Sequence, residues 1–421
     1  MASTQVFLRQ APRLSGNSAA SNGGGIANHR RGGVTITDST LSGNSATGGG
    51  GGIVNGGTLS ITNSTLSDNS ADDGGGIANA GTVTITDSTL LRNFAAAVGG
   101  GISNVSTLSI TNSRLYDNWA DSGGGIFNEG TITVIGSTLS GNSANYGGGM
   151  DNRETLTIIN CTLSGNSVNQ GGGGIANAGT VTITNATLSG NMARFGGGIF
   201  NFRATVTIKN SIVSNSASGG NCGLDGGTFG VLGENFATDS TCPSFTTVPP
   251  TGPGGLNLGP LQNNGGATDT HALLAKRVAI DAVADCTDTN RNLVTTDQRG
   301  VSRPQGSACD AGAYEAERFP PTATPSPTPE RRPSPSGTPA PCPCVGDCNA
   351  DGGVTINELI VMVNIALGDA SVSACAVGDA DRDGEITVDE IVTAVNNALS
   401  ECAHCILAGT TADPGLRGMP G

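Results

Sequence analysis

Large side chains and charged side chains are both scarce in this chain. Aromatic residues make up 3% of its 421 positions and charged residues 13%. That is too little bulk to fill a wide globular core. Lysine and arginine total 20 against 34 aspartates and glutamates, and no basic stripe gathers them, which excludes a nucleic-acid surface. No apolar run is long enough to cross a bilayer. The first dozen residues also lack the apolar stretch of a signal peptide. Because Leu14-Ser-Gly-Asn17-Ser-Ala is the tail of a repeat with no beginning, the expectation is a truncated start that has lost its signal. Glycine is abundant, at 67 residues, but it shows no three-residue period, so the chain is not collagen. Its glycine runs are never followed by Lys-Ser/Thr, so they are not phosphate loops.

What the chain does have is a repeat. Gly-Gly-Ile recurs with isoleucine at 26, 53, 77, 102, 126, 175 and 199, and Met150 fills the gap. Within each copy a Thr-Val-Thr-Ile-Thr alternation reads as a period-two strand, apolar on one side and hydroxylated on the other. Glycine clusters and Asn-Ser pairs mark the bends. A repeat of about 24 residues fits three short strands and three turns, and no 3.6-residue apolar period competes with that reading. Ile36, Ile61, Ile85, Ile110, Val134, Ile158, Ile183 and Ile208 share one phase; Leu41, Leu66, Leu90, Leu115, Leu139, Leu163, Leu188 and Val213 share another. Stacked at strand spacing, roughly 4.8 Å, each set becomes an internal ladder that neighbouring coils bury for one another. Two asparagine series run alongside. One is Asn28, Asn55, Asn79, Asn104, Asn128, Asn152, Asn177 and Asn201; the other runs Asn17, Asn44, Asn69, Asn93, Asn118, Asn142, Asn166, Asn191 and Asn215. Both are read as structural amide ladders rather than ligand sites. Residues 14–217 are therefore expected to form a parallel β-helix of about nine coils, making the protein mainly β.

The coils offer little evident chemistry. A polysaccharide lyase or hydrolase needs converging carboxylates or a base beside an acid cluster. The acids here, among them Asp38, Asp72, Asp73, Asp87, Glu129, Asp151 and Glu154, read as scattered, with Asp38 and Asp87 taking turn positions that other copies give to asparagine. No catalytic residue is assigned, and a non-enzymatic scaffold is the first reading. Cys161 stands where other copies have serine and is expected to be a buried free thiol.

The copies resemble the repeats of polymorphic outer membrane proteins and of bacterial right-handed β-helix proteins. Gly-Gly-Gly-Ile stands for that family's Gly-Gly-Ala-Ile, and Leu41-Ser-Gly-Asn44 for its Phe-x-x-Asn. That likeness implies a right-handed coil. Residues 218–318 are expected to cap the β-helix. Cys222 and Cys242 enclose about 20 residues, as a disulfide-closed terminal cap would in an oxidising compartment. Leu258-Gly-Pro-Leu-Gln-Asn-Asn-Gly-Gly266, Asp297-Gln-Arg-Gly300, Arg303-Pro304 and Cys309-Asp-Ala-Gly-Ala-Tyr-Glu315 resemble the choice-of-anchor Q domain of secreted bacterial proteins. The resemblance implies extracellular or cell-surface display, with Cys286 and Cys309 as a second disulfide. His271 is read as a packed residue.

Residues 319–341 are a proline-rich linker, with nine prolines between Pro320 and Pro341, long enough for an extended spacer of roughly 60–70 Å. In residues 342–405 eleven acids face a single base, Arg382. Nine of these acids sit in two copies of a twelve-residue calcium loop. The first offers Asp347, Asn349, Asp351, the Gly353 carbonyl, Thr355 and Glu358; the second offers Asp379, Asp381, Asp383, the Glu385 carbonyl, Thr387 and Glu390. Oxygens at alternate positions, glycine at the sixth and glutamate at the twelfth wrap one hard cation, so two Ca2+ sites are expected. Each loop leads into a helix whose apolar residues (Leu359, Ile360, Val363, Ala366, Leu367; then Ile391, Val392, Val395, Ala398, Leu399) are expected to pack the two helices together. The duplicated loop–helix unit resembles a type I dockerin, which implies a small all-α module and a cohesin-like partner on polysaccharide-degrading assemblies. The positions that help choose the cohesin are Ile356-Asn357 and Val388-Asp389 rather than Ser-Thr. Cys342, Cys344, Cys348, Cys375, Cys402 and Cys405 allow fifteen pairings; a zinc site at Cys402-Ala-His404-Cys405 is the alternative. Residues 406–421 read as a disordered tail. The function expected is a secreted adhesin-like scaffold with a calcium-dependent docking module. The alternative is a pectate-lyase-like polysaccharide-binding or -degrading component.

Overall fold

A computed structural model describes residues 5–8, 12–274, 278–317, 345–349, 353–367, 370–380 and 384–400. The chain divides into two units, Met1–Thr324 and Pro325–Gly421. The linker at 319–341, the tail at 406–421 and Cys342, Cys344, Cys402 and Cys405 lie outside the described residues.

The first unit is a right-handed parallel β-solenoid of about ten turns. Each coil repeats one plan. A three-residue strand such as Ile102–Asn104 leads to a five-residue strand, Thr107–Thr111, and then to a second short strand, Arg114–Tyr116. In Thr107–Thr111 the alternation settles direction: Leu108 and Ile110 point inward while the threonines and Ser109 face out. Parallel pairing keeps the register, with Ile85 beside Ile110 and Ile110 beside Val134, and Leu90 beside Leu115 and Leu115 beside Leu139. Both predicted apolar ladders are fully buried.

Bends between strands require left-handed backbone, which asparagine, aspartate and glycine adopt at least cost. Asp38, Asn63, Asp87, Asn112 and Gly136 fill one such corner, all with φ near +50° to +60°. The glycine triplets answer a different need. At Gly100 an added Cβ would lie 2.4 Å from the Trp119 carbonyl oxygen of the next coil, so only glycine lets the coils close there.

Both asparagine ladders form. Asn104 Nδ2 donates to Asn128 Oδ1 at 2.8 Å, and the same bond links each member from Asn28 to Asn201. In the second series Asn118 donates to Asn142 Oδ1 at 2.9 Å and to the Leu90 carbonyl at 3.1 Å, and it accepts from Asn93. Asn215 is the exception. Val213-Ser-Asn215-Ser216 places Asn215 at the corner that Gly190 fills in the previous coil, with φ +55° and its side chain exposed. Ser216 takes the ladder slot, and its buried Oγ finds no partner among the described residues.

The stacking extends past the last legible repeat. Cys222–Leu232 pairs along Ile199–Lys209, bringing Cys222 beside Ile199 and Val231 beside Ile208. The asparagine signature is gone, since Leu224 lies beside Asn201. A Cys222–Cys242 disulfide (S–S 2.03 Å) then fastens the following loop, and Phe245 packs edge-on against Phe229 at 6.3 Å.

Residues 256–316 fold back along one flank instead of extending the stack. Lys209 Nζ binds Asp285 (2.9 Å) and Thr287 (2.7 Å). Further along, Gln298 bridges Thr162 and Thr138 at 2.7 and 2.8 Å, and Arg114 meets Asp269 at 3.2 Å. The motif residues lock this segment internally. Arg303 binds Glu315 at 2.8 Å with both side chains almost fully buried, and it donates to the carbonyls of Asp310 and Gly312. Arg299 pairs with Asp297 at 2.9 Å and lies over the Tyr314 ring. A Cys286–Cys309 disulfide is present, and Cys161 is a buried free thiol.

Among the described residues the second unit has two α-helices, α1 (Ile356–Ala366) and α2 (Val388–Ser400), around a small core of Met362, Ile365, Cys375, Ile386 and Ala394. The helix faces differ from the expected packing. Ile360, Val363, Leu367, Val392 and Val395 are exposed, and the inward positions are taken by Met362, Ile365 and Ala394 with Leu359 and Ile391 partly buried. Cys348 and Cys375 form a disulfide.

Candidate functional site

The middle residue of each short Ile-x-Asn strand points away from the core, so these residues stack into an outward column. Phe127, Asp151, Ala176 and Phe200 are successive members. On one side of the column stand Tyr146 and Phe195, one coil before and one coil after Gly171. On the other stand Arg153 and Phe202. Asp151, Ala176 and Phe200 of the column, with Tyr146, Phe195, Arg153, Phe202, Gln170 and Asp225, line an open groove of about 550 Å³. A Cβ at Gly171 would lie 2.6 Å from the Phe200 ring, so a side chain there would push that ring aside.

The groove contains the only ionisable side chain of its outward column, Asp151, which is 6% exposed. Its Oδ2 accepts from Ser122 Oγ at 2.6 Å and lies 3.5 Å from the Arg153 guanidinium. Burial pushes the Asp151 carboxyl above its ordinary range, against the opposing pull of Ser122 and Arg153. Arg153 also approaches Glu129 at 3.6 Å and lies 4.6 Å from the Phe127 ring centre. The acids read as scattered along the sequence are thus partly gathered: Asp151 and Glu129 share one arginine across adjacent coils, while Asp38 and Asp87 stay at solvated corners. The stacking register held the signal, since copies aligned on Ile-x-Asn put Phe127, Asp151, Ala176 and Phe200 in one file. His271 is partly buried, with Nδ1 2.7 Å from the Gly259 carbonyl and Nε2 2.9 Å from Ser164 Oγ. Burial lowers its pKa.

Residues 53–217 match the family model for the right handed beta helix region. Every groove residue except Asp225 falls inside that right-handed β-helix region. No curated protein matches the chain. Among the described residues, no helix is long and apolar enough to cross a membrane.

The predicted calcium ligands fall in the second unit. Asp351, Asp381 and Asp383 lie outside the described residues. Glu358 and Glu390 are buried and turned back into their loops. Glu358 Oε1 accepts from Asn349 N at 3.2 Å, and Oε2 from Thr355 N and Oγ1 at 2.8 and 2.9 Å. Glu390 repeats the arrangement with Ala380 N (2.6 Å), Thr387 N (2.8 Å) and Thr387 Oγ1 (3.1 Å). Asp379 Oδ2 accepts from Gly384 N at 3.0 Å, across the second loop. Asp347 is buried, and Asn349, Thr355, Glu385 and Thr387 are exposed. Thr-x-x-Glu is also a capping box, so each glutamate has a helix-starting role whether or not it meets a cation. Among the described residues, no three His, Cys, Asp or Glu side chains converge on one point.

Proposed function

We propose that the chain is an extracellular or cell-surface β-solenoid scaffold, adhesin-like in role, with a C-terminal module that binds two Ca2+ ions and docks onto a partner. The observation that carries this reading is a duplicated apolar stripe. Ile356, Ile360, Val363 and Leu367 lie along α1, and Val388, Val392 and Val395 repeat the same spacing on α2. All are exposed, as a docking surface requires. Calcium would be held in the first loop by Asp347, Asn349, Asp351, the Gly353 carbonyl, Thr355 and Glu358. In the second it would be held by Asp379, Asp381, Asp383, the Glu385 carbonyl, Thr387 and Glu390. The buried Glu358 and Glu390 fit that role, since an inward carboxylate needs a positive partner or several donors. A cohesin-like domain or another surface component is the partner this face suits. The three disulfides between described residues support an oxidising compartment.

Calcium titration of the full chain, followed by heat and far-ultraviolet circular dichroism, tests the module. The expected outcome is two sites and a gain of helix; no heat and no spectral change would overturn it.

A second reading is favoured by the aromatic groove: a polysaccharide-binding or pectate-lyase-like component, attached through the same module. Release of unsaturated or reducing ends from polygalacturonate would support the degrading form of it.

A further inference from the structure

We infer that the groove over Asp151, Ala176 and Phe200 holds the interior of an extended, uncharged glycan chain running along the solenoid axis. This inference rests on the second reading above and deepens it by naming the ligand class and the residues that meet it.

The floor sets the direction. Asp151, Ala176 and Phe200 occupy successive coils, so the file advances by roughly 4.8 Å per coil. Two coil spacings give about the length of two sugar rings laid end to end. The floor dips at Ala176 and Gly171, between the larger Asp151 and Phe200. Tyr146 and Phe195 rise beside it, 47% and 48% exposed, with Phe202 opposite at 45%. Aromatic side chains left this open lose burial that the fold does not restore, and they offer flat apolar faces to the C–H surfaces of sugar rings.

The polar groups point to hydroxyl partners. Asp151 is more than nine-tenths buried, yet only Oδ2 is engaged. Its Oδ1 takes no hydrogen bond from any described residue, and neither does the Gln170 side-chain amide. Oδ1 is open to the groove rather than sealed from solvent, so a ligand hydroxyl can reach it and donate to it. A few fixed polar groups among apolar walls is the usual make-up of a binding cleft of this size.

Charge decides between neutral and acidic chains. Asp151, Glu129 and Asp225 are balanced by Arg153, Arg194 and Arg203, the last two lying 5.1 and 5.3 Å from the Phe195 and Phe202 ring centres. A polyuronate would meet no net positive field, and its carboxylates would sit beside Asp151 and Asp225.

The test is calorimetric titration of the full chain with cellohexaose, xylohexaose and mannohexaose, and separately with polygalacturonate. At least one neutral hexasaccharide is expected to bind. Tyr146→Ala and Phe195→Ala should each weaken binding about tenfold, and Asp151→Asn roughly fivefold or more. Phe94→Ala, an exposed aromatic outside the groove, should bind as the parent does. Unchanged thermal unfolding of the two rim variants shows that the loss is not misfolding. If only polygalacturonate binds, this inference falls while the broader polysaccharide reading stands. If nothing binds, both fall. Undiminished binding by Tyr146→Ala and Phe195→Ala, or loss of binding in Phe94→Ala, overturns the placement in the groove.

Discussion

Asn118 in the solenoid is tied to the coils on either side of it, whereas the Glu358 carboxylate in the helical module accepts from Asn349 N, Thr355 N and Thr355 Oγ1 of its own loop. The difference runs through both regions. In the solenoid every coil borrows its burial from its neighbours, and each ladder position repeats the same contacts, so stability sums over many near-identical interfaces. Among its described residues the module has two α-helices, a five-residue buried apolar core and a disulfide. A region of that size lacks the buried area to hold itself without a cross-link or a bound ion. Repetition explains why the solenoid tolerates irregular coils such as Cys222–Leu232. Its absence explains why acids and cysteines crowd the module.

The comparison can be broken most severely at the centre of the ladder. Asn118→Ala removes two donated bonds and leaves Asn93 N and Nδ2 without their acceptor. Unsatisfied buried amides cost about 1–3 kcal/mol each, so a loss of roughly 3–5 kcal/mol is expected. It should appear as a lower urea midpoint for the β signal. Next in size is Cys348→Ser with Cys375→Ser. Opening a link across 27 residues should cost the module about 3 kcal/mol. Helix signal should fall while the β transition stays in place. Coupled loss of both signals would mean that the two regions do not stand apart energetically.

A smaller effect tests the flanking segment of residues 256–316. Burial pushes the Asp310 carboxyl up to about 7 from an ordinary 3.8, despite the Ala316 N–H that holds its charged form. A group raised on folding binds more protons in the folded state, so its contribution is complete below pH 3.8 and lost as pH rises through 7. The solenoid unit should therefore lose stability over that interval, by on the order of 1 kcal/mol after solvent screening. Asp310→Asn should flatten the slope, whatever its effect at a single pH. Thermal unfolding at stepped pH reads this directly.

Inward positions are legible because the ladder residues keep one phase through every coil; the repeat alone places Ile110 and Leu115 inside. Outward positions are not, because nothing in folding requires them to repeat. Asp151 looks isolated along the chain and meets Phe127 and Phe200 only through stacking. Asn215 misled for a related reason. Val213-Ser-Asn215-Ser216 has no glycine to mark the corner, so the spacing assigns the asparagine to the ladder although it replaces that glycine. In the module, spacing singles out Glu358 and Glu390 as the closing residues of the expected calcium loops, and both also start helices; fifteen possible pairings hid Cys348–Cys375. The outward turn of Ile360 and Val363 was hidden too, since an apolar stripe on a short helix does not say whether its partner lies in the same chain.

The mildest test exploits a flaw that the repeat itself exposes. Ser39, Ser64, Ser88 and Ser113 each have their N–H bonded to the hydroxyl of the next coil's serine. At Ser137 the run meets Cys161, whose sulfur is a weak acceptor and whose thiol donates to the Ile159 carbonyl at 3.2 Å. Cys161→Ser restores an oxygen at a site that serine already fills in the preceding coil, at Ser137. The gain expected is about 0.5–1 kcal/mol, seen as a small rise in the unfolding midpoint. In the parent protein the same thiol should resist alkylation until denaturant is added, because burial removes access and pushes its pKa up to about 12. A readily labelled Cys161 under native conditions would mean that coils open locally, and that the solenoid's redundancy protects the whole rod better than any single turn.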